Sequence, residues 1–499
     1  MNQGAKHGQV KQGTGWQNIS GLIAIVAFFA AYAIYYWPEL ACYCGRSGDF
    51  ALIELEVEKA KHFAALLGPY SRYHFNHPGP IYFYTLAAIG SLLPGIECPT
   101  SFAQLIINCV FLTWTTYLLG ALGVPRFRIF LMVAIFVMAC LLGRDDFLHF
   151  IWNPAAIVFP AFLFFIASAG VLSGRRDFLL PQLLSFSFAV QTHLGALPVL
   201  GSILTVSWAV YLRRRPQAPG ELRHWLILAL VTFLLFSAPL YEFVTNPQSS
   251  NLYRILNFGA QATAEHSLTE SIQYIARFYL SPLRLRVSPY TILMPVFFLI
   301  AIMSKHFEKG SWERHFRLVW ILGTLASIAA ATRISGRQYH YLIWYQNGLV
   351  AIFYGLVISS LPNKILTGIN GCKGIKPLTI AAGCLALLFL TLQNPPEVKS
   401  CKATPELNLP LEHDTLYRLH FSERRYWPNV AFYALKLYRA GIPICISEEW
   451  AFMFGRDLIC KDTTGASSTK SRVLSIGGEE APPGFTKLRP GLYLSESKS

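Results

Sequence analysis

Charge is the first thing missing. Asp, Glu, Lys and Arg supply 14% of the 499 residues, against about 25% in an average soluble domain. So few charges cannot solvate a water-soluble protein of this length, which excludes an ordinary globular enzyme. Acidic residues are the scarcer sign, 27 against 42 Lys plus Arg, so a carboxylate in the apolar part of the chain stands out. None of the ten cysteines falls at zinc-ligand spacing, which excludes a structural zinc module. Repeats and low-complexity tracts are lacking too, which excludes a solenoid or a disordered tether.

What is present is apolar. Hydrophobic residues make up 53% of the chain, gathered into runs, and roughly 18 apolar residues in a row read as a membrane-spanning helix. The first run, Ile19 to Trp37, follows a polar leader with Lys6 and Lys11 and no small-residue cleavage site, so it reads as an uncleaved span. Others lie near 102–123, 127–143, 151–173, 178–190, 195–212, 225–241, 288–304, 316–332, 341–361 and 376–393. Together they predict about eleven crossings.

The formal net charge of +15 suggests a polyanion partner only until its distribution is read. Basic residues sit in short connections: Arg126 and Arg128, Arg175 and Arg176, Arg213 to Arg215, Lys305 to Arg317, and Lys364 to Lys376. Positive charge in short loops marks the cytoplasmic side, so no nucleic acid is implied. Pro80 to Leu93 is apolar but short for a crossing. If it rests at the membrane surface, every basic cluster falls inside. The N-terminus is then cytoplasmic, and the outside receives the 38–80 loop, the Arg144–Phe150, Gln191–Leu194 and Thr332–Tyr341 turns, the Glu242–Val287 segment and the tail.

The expected architecture is an all-α polytopic membrane domain over 1–393, followed by a small α/β extracytoplasmic domain over 394–499, in a cell inner (plasma) membrane. The tail holds a helical stretch, Trp427 to Arg439, and strand-like stretches at Ile442 to Ile446 and Val473 to Ile476. Cys445 and Cys460 fall outside, where they either pair or remain free thiols in a packed domain.

Candidate chemistry gathers in the outer turns. Asp49 follows Gly48 and precedes good helix formers; it is either a helix N-cap or a reacting acid. Glu54, Glu56 and Glu58 read as a solvated helix face, and Glu54 does not share the face of Asp49. Asp145 and Asp146 stand beside Arg144, either paired with it or converging with Asp49. Such carboxylates take a proton from a hydroxyl, or bind a hard cation such as Mg or Mn through Asp49 and Asp146. Arg333, Arg337, His340 and Tyr341 form an outer cluster that runs against the positive-inside rule. They answer either anionic headgroups or a lipid-borne phosphate, which guanidinium grips in a fork. Arg72 and His77 add to the same anionic site. His193 is a further candidate whose plain reading is structural, and Trp152 either anchors at the interface or stacks on a sugar.

This pattern resembles the GT-C class of membrane glycosyltransferases, which includes protein O-mannosyltransferases and aminoarabinose transferases. The resemblance rests on Asp49 early in a long first outer loop, on His77-Pro78-Gly79-Pro80-Ile81-Tyr82, and on Asp145-Asp146 in the second outer loop. It implies a sugar donor on a polyprenyl phosphate, and a glycan, lipid or protein acceptor outside the cytoplasm. By that resemblance Asp49 is the base or acceptor-orienting acid, with Glu54 nearby. Asp145 or Asp146 assists or binds metal, and Arg333 and Arg337 hold the donor phosphate. Three departures stand out: Gly79 interrupts the usual His-Pro-Pro, Phe50 follows Asp49 where several members carry a Glu, and no Trp-Trp-Asp signature occurs. The rival readings are a transporter or lipid flippase, disfavoured because most charges lie at span ends, and a catalytically inactive scaffold of the same fold.

Overall fold

The computed structural model describes residues 16–42, 47–96, 99–142, 146–214, 221–247, 250–280, 311–360, 411–421, 423–460, 471–478 and 481–495. Its first helices are α1 (Trp16–Tyr35), α2 (Trp37–Cys42), α3 (Asp49–Lys61), α4 (Ile81–Ser91), α5 (Pro99–Ala121) and α6 (Arg126–Leu141). Then come α7 (Asn153–Ala156), α8 (Val158–Leu172), α9 (Leu179–Thr192), α10 (Leu197–Arg214), α11 (Glu221–Thr245), α12 (Asn251–Gln261) and α13 (Leu268–Leu280). The last long apolar helices are α14 (Trp312–Ala331) and α15 (Asn347–Ser359).

Among the described residues, five stretches are long and apolar enough to cross a membrane: Pro99–Ala121, Asn153–Leu172, Leu194–Arg214, Leu222–Thr245 and His340–Ser359. The expected runs at 288–304 and 376–393, and Arg144 and Asp145, lie outside the described residues. Helix α4 has 11 residues, about 16 Å of rise, against a hydrocarbon core of about 30 Å. It is too short to cross, in line with the surface placement read from the charge pattern.

Burial sorts these helices. Every residue of α8 is buried, and it packs against α5, α9, α10, α14 and α15. Helix α11 is the opposite: only 11% of its apolar window is buried, and Leu226, Leu230, Phe233 and Leu234 lie exposed. In water such a face would be unstable; in a bilayer it meets hydrocarbon. Within the bundle, polar side chains satisfy one another. Gln182 donates to Ser168 Oγ and Ser207 Oγ, both at 2.8 Å, and accepts from Trp208 Nε1 at 2.9 Å, joining α8, α9 and α10.

The tail folds as a small α/β unit. Strands β1 (Leu416–Phe421), β2 (Ile444–Ile446), β3 (Ser471–Ile476), β4 (Phe485–Arg489) and β5 (Leu492–Ser495) form one sheet of order β2-β1-β3-β5-β4. The first three are mutually parallel, and β5 runs antiparallel to β3 and β4. Helix α16 (Trp427–Arg439) and the short α17 (Ala451–Phe454) complete it. Cys445 and Cys460 are joined in a disulfide, which resolves the alternative left open by the sequence. Ala51, Leu52 and Leu55 of α3 belong to the core of this unit, while Ile53 and Val57 pack with α4 and α5. Helix α3 is therefore the joint between the sheet and the membrane helices.

Candidate functional site

Helix α3 starts at Asp49, with Gly48 at its cap position. The bland capping role thus falls to the glycine, and Asp49 opens the first turn, where a negative charge suits the helix dipole. Its carboxylate is half-buried and held at both oxygens. The Tyr70 hydroxyl donates to Oδ1, and Trp152 Nε1 donates to Oδ2 at 2.9 Å. Burial and then the charge of Asp49 push the Tyr70 phenol upward, so it stays a proton donor to the carboxylate.

Aromatic rings carry the site outward from Asp49. Trp152 packs against Tyr341 at 4.8 Å and Trp344 at 6.1 Å between centroids, and Tyr341 stacks on Tyr339 at 5.5 Å. The Arg337 guanidinium lies 5.4 Å from the Tyr339 ring centre. Arg72 donates to the Tyr73 hydroxyl at 2.7 Å and to Ser335 O at 3.0 Å. Both Arg72 and Asp49 lie within electrostatic range of Tyr341. The first outer loop, Trp152 and the 332–341 turn therefore converge.

That turn is held from beneath by the segment before α13. Glu265 accepts from Ser335 Oγ and from Gly336 N, the latter at 2.7 Å. Tyr274 donates to Tyr339 O at 2.7 Å. Arg72, Arg333 and Arg337 are exposed, and none makes a salt bridge among the described residues. Three guanidinium groups without acidic partners suit an anion with several oxygens. His340 instead packs beside Tyr274 and Phe278 of α13.

The other acidic candidates have different settings. Glu54 is fully buried, accepts from Thr100 Oγ1 at 2.9 Å and pairs with Arg439 at 2.8 Å. It ties α3 to α5 and α16, away from the Asp49 carboxylate, because five residues along a helix turn a side chain to another face. The expectation of a solvated Glu face is also corrected: Glu56 pairs with buried Lys59, and Glu58 with Lys61 and Arg439. Asp146 stands half-buried before a single 3-10 turn, Phe147–His149. Phe147 meets Trp344 at 5.3 Å, so this second outer turn reaches the Asp49 neighbourhood through rings. No group of three His, Cys, Asp or Glu able to hold a metal occurs among the described residues, and the neighbours that hold Asp49 are a phenol and an indole rather than further ligands. The described donors do not assemble a site for a divalent cation.

His77 and His193 meet with ring centres 5.1 Å apart. Leu194 N donates to His77 Nδ1 at 3.1 Å, and Asn153 Nδ2 lies 3.4 Å from His193 Nδ1. Burial pushes His193 down to about 4, and burial with His193 alongside holds His77 well below the usual histidine range. Both are neutral at pH 7. Gly79, the residue that interrupts the His-Pro-Pro pattern, is explained here: a Cβ at that position would overlap the Gln191 side chain.

Tyr70 is the site residue that sequence reasoning passed over. Gly68-Pro69 before it and Asn76-His77-Pro78-Gly79 after it are turn formers, and the enclosed segment closes as a small hairpin with a Tyr70–Asn76 bridge. That turn chemistry was the available signal.

No protein-family model and no curated protein sequence matches the chain. In three dimensions it is similar to the crystal structure of ArnT, a GT-C aminoarabinose transferase, from Cupriavidus metallidurans bound to undecaprenyl phosphate. The TM-score is 0.53 at 11% sequence identity, over 97% of this chain and 98% of that one. Identity this low speaks to fold alone. With five stretches among the described residues long and apolar enough to cross a membrane, the chain is a multi-pass membrane protein of GT-C-like fold.

Proposed function

We propose that the protein is an integral-membrane glycosyltransferase that moves a sugar from a polyprenyl-phosphate donor to an acceptor hydroxyl on the outer side of the membrane. One observation carries this reading: a carboxylate held at both oxygens by Tyr70 and Trp152 lies near a turn whose arginines make no salt bridge among the described residues. The solved structure of similar fold holds a polyprenyl phosphate, and the Cys445–Cys460 disulfide favours an oxidising, extracytoplasmic compartment for the sheet.

The chemistry follows from the groups. Asp49 accepts the proton of the acceptor hydroxyl as its oxygen bonds to the anomeric carbon of the sugar. The bond from that carbon to the phosphate oxygen breaks, and its electron pair leaves with the phosphate. Arg72, Arg333 and Arg337 receive the growing negative charge, and placed donors of this kind are the largest single contribution in many such reactions. Tyr70 and Trp152 fix the direction of the Asp49 lone pairs, and Trp152 and Tyr341 offer flat walls to a sugar ring. Glu54, occupied by Arg439 and Thr100, takes no part, and no step is routed through a metal.

The test uses purified full-length protein in lipid nanodiscs with polyprenyl-phosphate sugars and mass analysis of glycan, lipid and protein acceptors. Transfer should appear with wild type and vanish with Asp49→Asn while the fold persists. Full turnover by that variant refutes the assignment. Uptake of substrate into proteoliposomes without chemical change would instead establish a transporter.

A further inference from the structure

The α/β unit grips the first outer loop in a way that the transfer chemistry above does not require for its own sake. Much of that grip comes from the segment between the two disulfide cysteines, which are 15 residues apart. Both ends of that segment are pinned to the sheet. Cys445 lies on β2, Cys460 N donates to Ile446 O at 2.9 Å, and Ile446 bridges Ile459.

The tip reaches the loop that carries Tyr70. The Phe452 ring lies 4.2 Å from the His74 ring and 6.2 Å, edge-on, from Tyr70. Asn76 Nδ2 donates to Phe452 O at 3.3 Å. Buried Lys59, near the far end of α3, donates to Phe454 O at 2.7 Å and pairs with Asp457 at 3.0 Å. Gly455, at φ 92°, sits where a side chain is barred twice. Its backbone is left-handed, and a Cβ would lie 2.6 Å from Lys59 Nζ. Trp427 of α16 also meets Tyr70 edge-on, at 6.3 Å. The Tyr70 ring thus contacts two aromatic side chains of the α/β unit, and its hydroxyl reaches Asp49.

We infer that the disulfide-closed segment 445–460 is a positioning clamp: Phe452, with Trp427, aims Tyr70 at Asp49, and Cys445–Cys460 keeps the clamp in place. The inference rests on the reading of Asp49 as the reacting carboxylate. Phe452, Trp427 and Tyr70 are positioning residues; they act through Asp49. A tip whose two ends are joined has far fewer conformations than an open one, so the cross-link converts a loose loop into a fixed support. Misplacement of a reacting group by about 1 Å costs on the order of a hundredfold in rate.

Two variants of the full-length protein test this, Phe452→Ala with the disulfide intact and Cys445→Ser/Cys460→Ser. The first readout is amide hydrogen exchange without donor, at Ser71 and His77, whose N–H groups close the hairpin onto Phe75 O and Pro69 O. Exchange there should quicken about tenfold or more, with the membrane helices unchanged. The second readout is turnover: kcat should fall about tenfold or more with donor KM within about twofold, and Phe452→Tyr should restore it. Unchanged exchange at both amides in Phe452→Ala overturns the clamp, as does a raised KM at constant kcat. If the double cysteine variant does not fold, Phe452→Ala alone decides. Should no donor turn over even with wild type, the function reading fails while the exchange result still judges the clamp.

Discussion

The two ends of α3 carry the same kind of charge and treat it in opposite ways. At the C-terminal half, Glu54, Glu56 and Glu58 each meet a cation, Arg439 or a lysine, within 2.9 Å. At the N-terminal end Asp49 meets no cation at all among the described residues; it accepts from a phenol and an indole. Paired carboxylates spend their charge on holding two parts of a fold together. One held only by neutral donors keeps its charge for something else. Arginines show the same division, since Arg439 is consumed by glutamates whereas Arg72, Arg333 and Arg337 make no salt bridge among the described residues. Counter-charge, rather than acidity, separates the candidate site from the scaffold.

Exchanging amide for carboxylate at each end tests the contrast most directly. Asp49→Asn keeps the shape, with the amide oxygen accepting from Trp152 and the amide nitrogen donating to the Tyr70 hydroxyl, so the protein should remain folded while transfer falls by roughly a hundredfold to ten-thousandfold, the usual worth of a general base. Glu54→Gln should do the reverse. It leaves Arg439 paired with Glu58 but facing a neutral partner at position 54, which costs about 2 kcal/mol, visible as a lower thermal midpoint with kcat per folded molecule unchanged. Equal effects of the two substitutions would erase the distinction.

Next in size is the arginine arc. Arg337→Ala should weaken donor binding by about tenfold or more, the scale of a hydrogen bond to a charged group, read as donor affinity in a titration. Donor affinity equal to wild type would remove the phosphate role from this residue.

The smallest expected effect concerns the histidine pair. His193 is held neutral by burial, down to about 4 in the folded chain, against about 6.5 when unfolded. The unfolded state therefore binds more protons below pH 6.5, and the stability it contributes is complete above that value and lost as pH falls toward 4. Between pH 7 and pH 5 this amounts to about 2 kcal/mol. Chemical denaturation at the two pH values should reveal it, and His193→Asn should shrink the dependence, with His77 supplying what remains. An undiminished dependence in the variant belongs to another group.

Some of this was legible in the residues. Helix α16 covers the stretch expected for it, and β2 and β3 fall on the apolar stretches at 442–446 and 473–476. Periodicity and hydropathy are properties of neighbours in sequence, so they survive without knowledge of the partner. Strands β1, β4 and β5 went unread because basic residues interrupt the apolar pattern of β1 and β4, and β5 has only four residues; their pairing, β1 and β5 with β3 and β4 with β5, is what fixes them. The meeting of Asp49 with Asp145 and Asp146, and of Arg72 and His77 with Arg333 and Arg337, was proposed from chemical type alone. Tyr70 was missed although Asp49 is 21 residues away. Glu54 was placed near Asp49 because its own partner lies far along the chain, Arg439 being 385 residues from it.

Taken alone, the sequence marked the apolar stretches suited to a bilayer and the rare acids and arginines that stand out beside them. Those are consequences of transfer free energy and of local spacing, and both act on short stretches. Only the tertiary structure decided which carboxylate is neutralised and which is left charged, and that Cys445 pairs with Cys460. An ion pair or a disulfide depends on where two distant segments meet, and a meeting of that kind is fixed by the packing of the whole chain rather than by either segment.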